Sequence, residues 1–334
     1  MIVFADLHLK ESTEDICFLV LNEILRQALA DDRHVVFCGD FWQLRYRVNV
    51  RLLNRVKAHF TAWVRQGITI DLVPGNHDQV TIDGENALEV LASSETKGAG
   101  ACVRVHTVPS VRAGFGFCPY RLNPQEQLDA IKIASKGASI VFGHFAAKGA
   151  RMNVAKVDHD GIVLPPLSPL FILGHYHMHQ VDRTQGLVYV GSPYQQNFGE
   201  AGNIPGCLRV KNLAWKHVPL TVGPKYHIAR WDISKVEAPP KAPPLLPGDK
   251  LRLDVDVPVS ALANPEILKA LKDHGYEDAL VNILPRGEAR DHKFDLSAGE
   301  SLLDAVERFV AERCPDAEGA KARLAILKER VLCA

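Results

Sequence analysis

Five short apolar runs in the first half of the chain share one shape. They are Ile2-Val3-Phe4-Ala5, Val35-Val36-Phe37-Cys38, Ile68-Thr69-Ile70-Asp71-Leu72-Val73, Ser139-Ile140-Val141-Phe142 and Leu170-Phe171-Ile172-Leu173. Each is short, apolar and closed by a turn signal, the pattern of a buried strand. Helical patterns lie between them. Ser12-Thr13-Glu14-Asp15 opens a helix whose apolar positions are Phe18, Leu21, Leu25 and Leu29. A second stripe runs through Val48, Leu52, Val56, Phe60 and Trp63. Asn86–Ser94 predicts a short helix, Cys102–His106 and Ser110–Cys118 two strands, and Asn123–Lys136 a helix opened by Asn-Pro. Strands alternating with helices predict an α/β domain.

A second region follows. Glu237–Asp249 holds five prolines and predicts an extended linker. Beyond it, Lys250–Val257 alternates as a strand, Asn264-Pro265 opens a helix, and Ala279–Leu284 is another strand. From Ala298 the pattern predicts two helices broken at Pro315. Their stripes pack either on their own domain or on a partner. The expected domains are 1–228, then a small α+β cap over 229–297 with its linker at 237–249, then a C-terminal helical hairpin over 298–334.

The five runs end in metal-ligand residues. They lead into Asp6-Leu7-His8, Gly39-Asp40, Gly75-Asn76-His77-Asp78, Gly143-His144 and Gly174-His175-Tyr176-His177. In α/β sheets, sites form outside the carboxyl ends of the strands. If these strands share a layer, His8, His144, His175 and His177 converge with Asp6, Asp40 and Asn76. That is too many donors for one metal and the right number for two. Carboxylate and imidazole suit manganese, zinc or iron, and a shared carboxylate bridges paired cations that clamp a phosphoryl group. Each block alone reads more readily as turn residues or satisfied surface histidines than as a site.

Composition excludes little. Of 334 residues, 47% are hydrophobic and 23% charged, with zero formal net charge. Bulk electrostatics therefore gives no support for nucleic-acid binding. Seven cysteines without C-x-x-C pairing read as reduced, buried thiols of a cytoplasmic protein. No signal peptide and no membrane-spanning run is expected. One stretch is locally basic: Arg45, Arg47, Arg51 and Arg55, with Arg47, Arg51 and Arg55 at helical spacing. It reads either as a solvated face or as a DNA phosphate contact.

The ordered set D-x-H, G-D, G-N-H-D, G-H and G-H-x-H resembles the calcineurin-like metallophosphoesterases. With the tail and the block Gly191-Ser192-Pro193, Phe198 and Glu200, the chain resembles the SbcD-type DNA nucleases of the SbcCD and MRN complexes. In size it looks most like the compact phage recombination-nuclease subunit. The resemblance implies a layered β-sandwich core with flanking helices. It also implies that Asp6, His8 and His177 bind one metal, that Asn76, His144 and His175 bind the other, and that Asp40 bridges them. His77 would act on the phosphate or the leaving oxygen, with Asp78 orienting it. The cofactor would be two divalent ions, Mn2+ first, with Mg2+, Fe2+ or Zn2+ also fitting. The implied activity is exonuclease on duplex ends and endonuclease on single strands, in DNA repair, recombination and replication. The implied partners are DNA, a second copy of the chain, and an SbcC-type ABC ATPase with a coiled coil, docked through the C-terminal helices.

Two positions depart from the family pattern. Lys10 stands where the family usually has Gly, and Gln43 where it often has an acid. Two other readings remain open at this point: a phosphoesterase for nucleotides or other small phosphate esters, and a non-catalytic scaffold.

Overall fold

The computed structural model describes residues 1–43, 47–81, 85–93, 100–153, 156–164, 169–236, 238–258 and 265–286. The expected C-terminal hairpin, the end of the expected cap and Arg45 lie outside these. The chain divides into Met1–Val257 with Ala261–Leu284, and Pro258–Ser260 with Pro285–Ala334. The second unit falls almost wholly outside the described residues.

The first unit is a mixed α/β structure. In chain order its elements are β1 (Ile2–Phe4), α1 (Glu14–Leu29), β2 (His34–Cys38), α2 (Val50–Arg65), β3 (Thr69–Val73), β4 (Val103–Val105), β5 (Ser110–Arg112), β6 (Phe115–Cys118), α3 (Pro124–Ser135), β7 (Ile140–His144), β8 (Leu170–Gly174), β9 (Gln180–Asp182), β10 (Leu187–Tyr189), β11 (Gly206–Lys211), β12 (Ala214–Pro219), β13 (Tyr226–Asp232), β14 (Lys250–Pro258), α4 (Pro265–Asp273) and β15 (Leu280–Arg286). One six-stranded sheet has the order β12-β11-β1-β2-β3-β4, and a second has β5-β6-β7-β8-β10-β9. A three-stranded sheet has the order β13-β14-β15.

The alternation of each strand explains the layering. Val3, Val36, Cys38, Val73 and Leu208 of the first sheet share one buried cluster with Phe117, Ile140, Phe142, Ile172 and Val188 of the second. The opposite face of the first sheet, Phe4, Phe37 and Leu72, packs on Leu21 and Ile24 of α1 and on Leu52, Val56 and Phe60 of α2. Val141 and Phe171 pack likewise on Ala130, Ile131 and Ala134 of α3. Strands buried on both faces read as continuous apolar runs, which is why the sequence shows five of them. Each fully buried Val, Ile or Phe contributes about 1.5–3 kcal/mol.

Register places the strand ends together. β1, β2 and β3 are parallel, with Phe4 beside Phe37 and Phe37 beside Leu72. β7 and β8 are parallel, with His144 beside Gly174. The residues after these rungs therefore leave from one edge of each sheet, and the two edges face each other across the shared core.

Three local expectations change. Ser110–Cys118 is a hairpin of two strands, not one strand. Its turn residues Ala113 and Gly114 both have positive φ, the geometry of a tight two-residue hairpin loop. Among its described residues, 86–93, the stretch expected as a short helix has a 3₁₀ turn at Glu89–Leu91 and no α-helix. α2 starts at Val50 because Asn49 caps it, its side-chain oxygen accepting from Arg51 N–H at 2.8 Å. Arg47 therefore precedes the helix rather than sharing its face. Among the described residues no helix is long and apolar enough to cross a membrane. Cys17, Cys38, Cys102, Cys118 and Cys207 are buried free thiols.

Candidate metal centre

The loops after β1 and β2 are joined by backbone hydrogen bonds. Asp6 N–H donates to Gly39 O at 2.9 Å, His8 N–H to Asp40 O at 3.0 Å, and Leu9 N–H to Phe41 O at 2.8 Å. This pairing holds Asp6, His8 and Asp40 in the left-handed region, at φ 54°, 49° and 60°, and His175 has φ 104°. Non-glycine residues rarely adopt such backbone, and its concentration at one edge marks strain carried by a site. Gly39 shows why the ligands approach so closely. A Cβ there would meet the His144 ring at 2.2 Å.

Asp40 sits at the middle. One oxygen, Oδ1, accepts from His77 N–H at 2.8 Å. The other, Oδ2, lies 3.3 Å from His144 Nε2, 3.7 Å from His8 Nε2 and 4.0 Å from His77 Nε2. On one side, His8 Nε2 and His177 Nε2 are 3.0 Å apart, and Asp6, His8 and His177 can all offer ligand atoms to one ion. On the other side, Asn76 Oδ1 lies 3.1 Å from His144 Nε2 and 3.2 Å from His175 Nδ1. Asp6, Asp40 and His144 form a further group with metal-ligand spacing, as do His8, Asp40 and His77. The seven expected ligands thus stand together, with His77 beside them.

The donor set fits divalent cations. His144 Nδ1–H donates to Cys38 O at 2.8 Å, which leaves its Nε2 to face the Asp40 carboxylate, carrying a proton in metal-free protein or giving its lone pair to a cation in that proton's place. His177 Nδ1–H donates to Glu200 Oε1 at 2.7 Å, which turns its Nε2 towards His8. Ring nitrogens and carboxylate oxygens crowded into a buried volume need positive charge among them, as protons or as cations. The electrostatics of the site make the same demand. Burial would lower His144, but the Asp40 charge and hydrogen bond, with Asp6, outweigh it and hold the ring up to about 9. Burial raises Asp6 to about 6 against the pull of His144 and His177. Burial would raise Asp40 as well, yet His144, His8 and His77 hold it below the ordinary carboxylate range. Burial lowers His8 and His175 to about 3 each, leaving both neutral and able to ligate.

Three supporting residues have roles that spacing did not reveal. Asp78 is buried and accepts from the backbone N–H of Asp40 at 2.8 Å, Trp42 at 2.9 Å and Gly75 at 2.9 Å. It fastens the Asp40 loop to the Asn76 loop, a different task from orienting His77. Glu200 also accepts from Ser192 Oγ at 3.0 Å, Gln196 N–H at 3.1 Å and Asn197 Nδ2 at 3.0 Å, so the carboxylate that fixes His177 is itself fixed. Gln196 Nε2 donates to Asp6 O at 2.7 Å. His179, two residues beyond His177, turns away: its Nδ1 bonds Tyr189 O at 2.8 Å and its ring stacks on His217.

The basic stretch divides. Arg51 and Arg55 both pair with Glu14 at the start of α1, and Arg55 lies over the Phe18 ring. Both guanidinium groups are thus engaged within the protein. Arg47 is exposed.

The centre opens into a cleft of about 370 Å³, lined by ligand residues together with Lys10, Thr13, Gln43, Tyr194, Gln196 and Asn197.

No protein-family model matches the chain, and no curated protein does. Among solved structures, the Pseudomonas putida nuclease MPE is similar at 15% identity, covering 56% of this chain and 72% of that one, with a TM-score of 0.28. A likeness at that level carries no functional weight.

Proposed function

We propose that the chain is a divalent-metal-dependent phosphodiesterase that cuts DNA, with the layered core and ligand assignment of the SbcD-type metallophosphoesterases. The observation that carries this reading is the position of Asp40. Its carboxylate stands between a His8–His177–Asp6 group and an Asn76–His144–His175 group, as a bridge between two cations requires. Such cations, when bound, supply charge to phosphoryl oxygens and lower the pKa of water.

The chain's own residues do the rest. Asp40 holds the two halves of the site at a fixed separation. Asp78 pins the Asp40 backbone, and Glu200 sets the tautomer of His177. His77 faces the cleft with its side chain one-fifth exposed, and its ring donates a proton to the departing sugar oxygen. In the same reading the chain works in the cytoplasm in double-strand-break processing. It acts as a homodimer with an ABC-type ATPase held through residues 298–334, and uses Mn2+.

The test is Mn2+-dependent degradation of end-labelled linear duplex DNA, beside cleavage of bis(p-nitrophenyl) phosphate. Both activities are expected from the wild type, and both fall in Asp40→Asn. Cleavage of the small ester alone would replace the DNA reading with a small-ester phosphoesterase. Absence of both, in protein shown to bind metal, would overturn the phosphodiesterase reading.

A further inference from the structure

A polymeric substrate presents phosphates on either side of the one being cut, and these need partners of their own. The basic stretch near the site supplies fewer than its composition implies, because Arg51 and Arg55 are paired with Glu14. Lys10 is placed differently. It lines the same cleft as His8, Asp40, Asn76, His77, His175 and His177, and it is the only lysine or arginine among the lining residues described. Among the described residues its ammonium has no carboxylate within ion-pair distance. Its backbone is held, since its N–H donates to Thr13 Oγ1 at 3.2 Å and the Thr13 hydroxyl donates in turn to His8 O at 3.3 Å. The lysine stem therefore rises from a fixed base next to a ligand histidine.

Resting on the DNA-cutting reading above, we propose that Lys10 is a substrate-positioning residue that binds a phosphate flanking the scissile one. It thereby gives this site its preference for a nucleic-acid strand over an isolated phosphodiester. Cations held by the ligand residues would serve the scissile phosphate, which leaves the Lys10 charge in the same cleft for its neighbour. A lysine suits this use as a point charge with a flexible reach. Gln196 and Asn197, on the same wall, already bond Asp6 O and Glu200 and are less free to serve.

The experiment compares wild type, Lys10→Gln and Lys10→Arg on linear duplex DNA and on bis(p-nitrophenyl) phosphate, over a salt series, with bound metal measured in each. Loss of one charged phosphate contact is expected to lower the ratio of kcat/KM on DNA to kcat/KM on the small ester roughly tenfold in Lys10→Gln. The fall is expected in KM more than in kcat. The slope of log kcat/KM for DNA against log salt should become shallower by roughly 0.9. Lys10→Arg should restore the slope. An unchanged ratio and slope in Lys10→Gln would overturn the assignment. So would equal loss on both substrates with loss of metal, which would make Lys10 a support for His8. If the wild type cuts the small ester and not DNA, the polymer reading itself fails and this assignment falls with it.

Discussion

Two buried carboxylates on neighbouring parts of the first sheet each gather histidines, and they do opposite things. Asp71, in the middle of β3, accepts from Arg104 Nε and Nη2 at 2.7 Å each, from His34 Nε2 at 2.6 Å and from His106 Nε2 at 2.7 Å. Every oxygen faces N–H donors, and burial, which alone would raise its pKa, is outweighed by these bonds so that the group lies far below its ordinary range. Asp40, just past β2, faces the Nε2 atoms of His144 and His8, where positive charge comes only from a proton or from a cation in its place. The first cluster holds a permanent cation in Arg104, and the second has only protons that a metal ion can displace. Residue types alone do not separate a metal centre from an ion network. The balance of donors and acceptors does, together with place: Asp71 lies within a paired strand, while Asp6, His8, Asp40 and His175 lie at strand ends with positive φ.

The sharpest way to break this contrast is to make the same change in both clusters. Asp40→Asn is expected to lower kcat on the order of a thousandfold while the fold survives, checked by turnover and circular dichroism. Asp71→Asn should do the reverse. It leaves the half-buried Arg104 guanidinium without its counter-charge and should cost about 1–3 kcal/mol in urea unfolding, with turnover per folded molecule preserved. If the two variants exchanged phenotypes, the contrast would be wrong.

Glu200→Gln addresses the support of one ligand. The amide no longer forces His177 Nδ1 to be the donor, and metal affinity should weaken roughly 10- to 100-fold, read by equilibrium titration with Mn2+. An unaltered affinity would remove Glu200 from the site.

A smaller effect concerns pH. In metal-free protein His144 keeps its proton up to about 9, so a cation must displace it. Metal affinity should therefore rise by about tenfold per pH unit between pH 7 and 9. The stability link has the opposite sign. A histidine whose folded pKa is raised contributes stability fully below its ordinary value of 6.5, and loses it as pH climbs through about 9. Metal-free protein should thus soften across that window, and metal should flatten the curve. Thermal unfolding with and without Mn2+ checks both signs.

Much of the site was legible because its residues follow buried strands. An apolar run that stops at Gly-Asp or Gly-His announces both the strand and the edge, and parallel register does the rest. What stayed hidden depends on contacts between distant positions. Asp71 looked like one polar residue in an apolar run, since its partners come from two other stretches of chain. Asp78 follows His77 directly, but its carboxylate reaches back to the amides of Asp40 and Trp42, which no spacing encodes. The arginines at helical spacing looked available for DNA because Glu14, on another helix, does not appear in their window. Asn49 set the start of α2 through a cap that the apolar stripe overran.

The most direct measurement is the Mn2+ stoichiometry of the chain by equilibrium dialysis, with low-temperature electron paramagnetic resonance of the loaded protein, in wild type, Asp40→Asn and Asp71→Asn. A site bridged by Asp40 should bind two ions per chain with the signature of spin-coupled neighbours. That coupling should vanish in Asp40→Asn and persist in Asp71→Asn. One uncoupled ion in the wild type, or coupling indifferent to Asp40, would contradict the account.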